Sequence, residues 1–226
     1  MELRKNIKNI DAYKPEFTDP NKYFEAARTF AETFYSDDIN RIRSVRFERV
    51  KPRLFFMEYI WVVYATGFSA QAVSKFINKL FDAFQDWGNI HHESFDDVYE
   101  RVKPICKNKA KAKAVYDTAD IVLYGIELFG WEQFKNKYLS TPERLQDFPY
   151  IGKVTCFHLA RNIGLLDFMK PDLHLVRMAD HWEFFDPTEM CKSMQPDGMP
   201  LGVVDYMLWV TAATFGTLEI RKENSR

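Results

Sequence analysis

Apolar positions return every three or four residues along most of the chain, and stretches of strict alternation are scarce. That period predicts roughly ten helices and little or no sheet, so the expected fold class is all-α. The stretch "NKYFEAARTFAETFYS" sets Tyr23, Phe24, Ala27, Phe30 and Phe34 on one face, and Asp19 stands where a helix cap belongs. "LFFMEYIWVVYATGF" is apolar nearly all round and reads as a central, buried helix. Ser69 is the expected cap of "SAQAVSKFINKLFDAFQDW", and Ser94 that of "SFDDVYERV". "NKAKAKAVYDTADIVLYGIELFG" predicts a long helix with a lysine-rich start and Gly130 as its stop. Ser140 or Thr141 caps "STPERLQDF", with Pro142 in the first turn. "VVDYMLWVTAATF" predicts a last apolar helix, and "PTEMCKSMQPDGMPLG", which holds three prolines, is expected to be a loop.

Composition narrows the function classes. The 226 residues can bury a sizeable core, as one large domain or two lobes. The formal charge of −1 means that any nucleic-acid contact must come from a local basic patch. The 20 Phe, 11 Tyr and 5 Trp exceed what is usual, which leaves rings to spare for a stacking pocket. Cys106, Cys156 and Cys191 are far apart and form no CxxC pair, so they read as free thiols in a reducing compartment. The N-terminal stretch has no apolar core of a signal peptide, and no apolar run suffices to span a bilayer. The expected location is cytoplasmic, in association with the nucleoid.

One stretch carries candidate chemistry: "DFPYIGKVTCFHLARNIG", Asp147 to Gly164. Pro149 ends the preceding helix pattern, and a new one begins near Thr155. Gly152 between them is expected to supply a positive φ. Such a turn presents unpaired backbone N–H groups at a helix start, an arrangement suited to an anion such as a backbone phosphate, or else simply joins two packed helices. Asp172, 23 residues after Pro149, opens "LHLVRMADHW" and is placed to cap that helix.

"FPYIGKVT" followed by "PDLHLVRMA" resembles the signature of the helix–hairpin–helix DNA glycosylase superfamily, roughly L-P-G-[VI]-G-x-[Kx]-T-A and then D-x-H-[VL]-x-R. The lysine-bearing helix upstream, the buried helix with its following loop and the closing helix resemble the family's elements in the same order. The resemblance implies a two-lobed helical fold with a cleft between the lobes. One lobe is expected from residues 1–53 plus 166–226, the other from 54–165 with the hairpin at 141–164. It implies a DNA N-glycosylase that acts on double-stranded DNA as a monomer and needs no cofactor. Asp172 aligns with the family's catalytic carboxylate, which stabilises the oxocarbenium-like sugar and positions water. Tyr150, Ile151, Gly152, Lys153, Val154 and Thr155 align with the phosphate-gripping hairpin. Arg177, Lys109 and Lys113 are further DNA-contact candidates, and Lys107, Lys111 and Arg161 complete a possible basic rim. Tyr64, Gly67, Phe68, Gln71 and Trp182 are candidates for base pocket or wedge, with Tyr59 and His181 beside them. His174 matches the signature's histidine in a supporting role.

The sequence departs from the family at three places. Val154 occupies the position of the lysine nucleophile found in bifunctional members, and Lys153 is one residue early, about 100° round a helix. Hydrolysis without lyase activity is therefore expected, with Lys153 the alternative nucleophile. Tyr150 replaces the hairpin's first glycine, and Gly67 stands where members often carry a wedge glutamine. Cys191 is the single cysteine in the region of the family's iron–sulfur loop, so no cluster is expected. The rival readings are a non-catalytic DNA-binding module and an enzyme that alters a modified base in place. The residues do not identify the base.

Overall fold

A computed structural model describes residues 9–68 and 70–216, the side chains of Ala70 and Gln71 excepted. Every regular element among them is helical. Besides short 3-10 turns at Ile10–Tyr13 and Phe47–Arg49, the α-helices in chain order are α1 (Pro20–Phe34), α2 (Ser36–Ser44), α3 (Pro52–Ala65), α4 (Ala70–Ser74), α5 (Ile77–Phe84), α6 (Trp87–His91) and α7 (Phe95–Val102). There follow α8 (Lys109–Tyr138), α9 (Pro142–Leu145), α10 (Thr155–Asn162), α11 (Leu173–His181), α12 (Pro187–Ser193) and α13 (Leu201–Phe215). Helices dominate because local capping agrees with the apolar period. Asp19 accepts from the Lys22 amide at 2.8 Å, Ser94 from that of Asp97 at 3.2 Å, and Thr141 from that of Arg144 at 3.4 Å. Pro20, Pro52 and Pro142 occupy first turns, where a missing N–H costs nothing. Gly130 breaks α8 with a non-helical backbone, φ 70° and ψ 159°, and the helix resumes at once. Ser69, the cap expected for the helix after the buried one, lies outside the described residues.

Residues 187–193, expected in a loop, form α12 instead. Asp186 caps it by accepting from the Glu189 amide at 2.8 Å, and the Glu189 carboxylate accepts in return from the Phe185 amide at 2.8 Å. This reciprocal pair with a first-turn proline is a helix start, and Met190 and Cys191 are then buried. The prolines thus mark the beginning of this helix and the loop behind it.

The chain divides into two units. Among the described residues one holds 45–165, and the other holds 9–44 with 166–216. In the first, α3 is the central element. Its Phe55, Phe56, Tyr59, Ile60, Val62, Val63 and Tyr64 are buried among side chains of α5, α8 and α10. In the second, α13 is buried along most of its length and packs against α1 and α11. The Thr211 hydroxyl donates to the Ala27 carbonyl at 3.4 Å, and the Tyr206 hydroxyl to Asp38 Oδ2 at 3.1 Å.

The two units divide at 44/45 and at 165/166. Residues 45–53 belong to the first unit because two of its side chains grip their backbone and Gly164 packs against it. Lys135 Nζ donates to the Glu48 carbonyl at 2.8 Å, and Trp131 Nε1 donates to that of Val50 at 2.8 Å. Gly164, at the end of the hairpin region, is left-handed at φ 85°, and a Cβ there would lie 2.7 Å from the Phe47 amide nitrogen. That neighbour is backbone and cannot swing aside. Gly164→Ala is therefore expected to destabilise the protein by more than ~2 kcal/mol, seen as a lower urea midpoint with unchanged slope.

Candidate functional site

The turn between α9 and α10 is built by four contacts. The Ile151 amide donates to the Phe148 carbonyl at 3.1 Å, and the Cys156 amide donates to that of Gly152 at 3.0 Å. The Gly152 amide donates to Thr155 Oγ1 at 2.7 Å. The fourth contact reaches into the core: the Tyr59 hydroxyl donates to the Pro149 carbonyl at 2.5 Å while accepting from Thr118 Oγ1 at 2.7 Å. Burial pushes the Tyr59 hydroxyl far above its usual titration range, so it stays a donor. Tyr59, considered as a pocket ring, is thus a buried clamp on the hairpin.

The left-handed residue of the turn is Tyr150, at φ 67°, and Gly152 is not left-handed. This corrects the expectation placed on Gly152. A Cβ at Gly152 would meet nothing nearer than Thr155 Oγ1 at 3.9 Å, so neither space nor φ demands glycine there. Tyr150 bears a backbone cost of roughly 1–2 kcal/mol that a glycine at this position would avoid. The amides of Lys153, Val154 and Thr155 precede the first helical hydrogen bond of α10, so no carbonyl of that helix reaches them. An open depression of about 670 Å³ runs along the turn, lined by Thr66, Ile121, Pro149, Tyr150 and Gly152 among others.

The other expected residues separate into exposed and buried groups. Lys153 and Val154 are exposed; Ile151 is buried and can offer only backbone. Val154 takes the N-cap position of α10. Lys107, Lys109 and Lys113 are exposed, but Lys113 is paired with Asp117, and Lys109 lies 5.5 Å from the ring centres of both Phe95 and Tyr99. Arg161 is buried and leaves the basic rim. Tyr64 is core rather than pocket, since its ring lies against Phe84 and Lys111. Gly67 is left-handed at φ 78° and turns the chain so that Phe68 stands 47% exposed. The side chain of Gln71 lies outside the described residues.

Lys111 is the residue of this charge run that goes inward, and it is only 2% exposed. Its Nζ donates to the carbonyls of Tyr64 at 3.0 Å and Thr66 at 2.5 Å, groups that α3 leaves open at its C-terminus. Burial lowers its affinity for the proton below that of an ordinary lysine.

In the second unit, Asp172 caps α11 as its place in the sequence predicts. Oδ1 accepts from the amides of His174 at 3.0 Å and Leu175 at 3.3 Å; Oδ2 lies 3.9 Å from Lys170 Nζ, and the side chain is 11% exposed. A carboxylate the sequence reading passed over holds this turn. Asp205, 1% exposed in α13, accepts from the Lys170 amide at 2.9 Å, and the Lys170 carbonyl accepts from the Asp172 amide at 2.8 Å. The signal was an aspartate inside the apolar run "VVDYMLWV", since a buried acid must be satisfied by donors. Burial holds the His174 imidazole toward its neutral form, and burial beside Asp205 and Asp172 pushes the Cys191 thiol well up. Arg177 Nε and Trp182 Nε1 are buried atoms that find no acceptor among the described residues. Trp182 stacks on Phe17 at 5.7 Å, and His181 Nε2 contacts the Phe17 carbonyl at 3.1 Å, so both expected pocket residues pack within this unit.

Comparison of the chain with models of protein families, with curated proteins and with solved structures finds no match. Among the described residues no helix is long and apolar enough to cross a membrane, and no three His, Cys, Asp or Glu side chains are grouped to hold a metal ion.

The capping geometry separates the charge of Asp172 from its structural duty. Asn caps as well as Asp, so Asp172→Asn is expected to melt close to wild type, whereas Asp172→Ala loses about 1 kcal/mol. Asp205→Ala leaves the part-buried Lys170 amide without its acceptor and costs about 1–3 kcal/mol. Thermal denaturation of the three variants checks the order.

Proposed function

We propose that the protein is a DNA N-glycosylase of the helix–hairpin–helix type that hydrolyses and does not cleave the strand. The observation that carries this reading is Asp172. It lies 23 residues beyond the hairpin proline, with one carboxylate oxygen locked by two helix-start amides and the other committed to no backbone donor. A carboxylate so fixed can face a developing cation without reorganising, which is where electrostatic stabilisation is largest. As the bond from C1′ to the base nitrogen breaks, the base leaves with the electron pair and positive charge develops on the sugar. The Asp172 carboxylate stabilises that charge and takes a proton from the water that adds to C1′. Asp205 acts behind it by holding the turn that presents Asp172. The hairpin amides of Lys153, Val154 and Thr155 suit a backbone phosphate. With Val154 at the nucleophile's position, no amine is set to attack the sugar.

The test uses duplexes that carry oxidised, alkylated, mismatched or hypermodified bases, followed by alkali to cut abasic sites and mass spectrometry of what is released. Wild type is expected to release a free base, and Asp172→Asn to do so about 10²–10⁴-fold more slowly while melting normally. Equal rates for the two would remove Asp172 from the chemistry. Release of no base, with salt-dependent binding retained, would make the chain a non-catalytic module. Borohydride is expected to trap no protein–DNA adduct; a trapped adduct lost in Lys153→Ala would assign lyase chemistry to that amine.

A further inference from the structure

Two features of the first unit cost free energy and meet at one point. Lys111 is a buried ammonium with no carboxylate paired to it among the described residues. Taking that charge out of water carries a desolvation cost, which the Tyr64 and Thr66 carbonyls offset in place of an acid. Tyr150 is a bulky residue held left-handed at φ 67°, where glycine would sit without strain. Lys111 Nζ lies 4.6 Å from the centre of the Phe68 ring and 5.8 Å from that of Tyr150. The two rings come from different segments, the loop after α3 and the hairpin, and both stand in solvent, 47% and 40% exposed. Strain concentrated at a surface that also exposes large rings points to binding rather than to packing.

We propose that Phe68 and Tyr150 form one stacking surface, locked from beneath by Lys111, that takes an unstacked nucleobase of a DNA strand. The inference rests on the DNA reading above and deepens it. The occupant follows from the chemistry around the rings. A base offers a flat π face, and base–aromatic stacking is strong and tolerant of sequence. Its strand carries phosphates, for which the open amides of Lys153, Val154 and Thr155 lie within a few residues of Tyr150 in the same turn. The ammonium is the fixed part. Its two carbonyl bonds tie it to the end of α3, and its contacts with both rings hold two otherwise independent segments in one register.

The probe is a duplex with one unpaired 2-aminopurine, whose fluorescence falls when it stacks, with binding followed in parallel by anisotropy of an end label. Wild type is expected to bind and to quench. Phe68→Ala and Tyr150→Gly should each weaken binding about fivefold to a hundredfold and lose most of the quenching per bound complex. Tyr150→Gly also relieves the left-handed strain, so its melting temperature should stay level or rise while its stacking falls, a combination that loss of fold cannot produce. Lys111→Met should reduce quenching per bound complex at both rings' expense. Binding and quenching as in wild type for both ring variants would overturn this inference and leave the glycosylase reading standing. No binding by wild type to any duplex would overturn both.

Discussion

The first unit depends on how α3 closes its ends inside an apolar shell. A helix buried on nearly every side cannot leave its last carbonyls to water. Lys111 answers this from α8 by donating to the carbonyls of Tyr64 and Thr66, and the favourable end of the helix dipole helps to keep its charge. One turn and a half earlier on the same helix, Tyr59 holds the Pro149 carbonyl. The hairpin therefore has two moorings on α3, a direct one through Tyr59 and one through Lys111 to the Tyr150 ring. The hairpin and the loop at Gly67–Phe68 are thereby tied to one framework.

The second unit solves a parallel problem with the opposite charge. Asp205 in the apolar α13 must be satisfied by donors, and it takes the Lys170 amide. The Lys170 carbonyl in turn takes the Asp172 amide, and Asp172 takes the first amides of α11. A buried acid thus sets the turn, and the turn sets the carboxylate on which the proposed chemistry rests. Burial also keeps the His174 imidazole toward its neutral form.

Helix starts were the most legible part of the sequence. Asp19, Ser94, Thr141, Asp172 and the first-turn prolines act locally, within three or four residues, so their pattern survives without knowledge of the fold. The same rule was available at Asp186 and Glu189 and was obscured by the prolines and glycine that follow them. The lysines of "KNKAKAK" were legible as a group and not singly. Three of them stay in solvent, and one turns inward, because the register of α8 against α3 decides which. Glycine was misread at the hairpin for a similar reason. Gly152 has the permissive backbone, yet the turn is wound so that Tyr150 takes the positive φ, and the Tyr59 clamp on the Pro149 carbonyl is part of that winding.

The sequence by itself determined that the chain is helical, where several helices begin, and that Asp172 and the hairpin amides stand at helix starts. These follow from periodicity and capping, which are short-range. Tertiary structure decided what no local pattern encodes. It put Tyr59, Tyr64 and Arg161 in the interior and left Phe68 and Tyr150 outside. It also drew residues 45–53 into the first unit and chose Asp205 as the support of Asp172. In each case the reason is the same: burial and partner depend on which distant helix arrives opposite, and only long-range packing sets that.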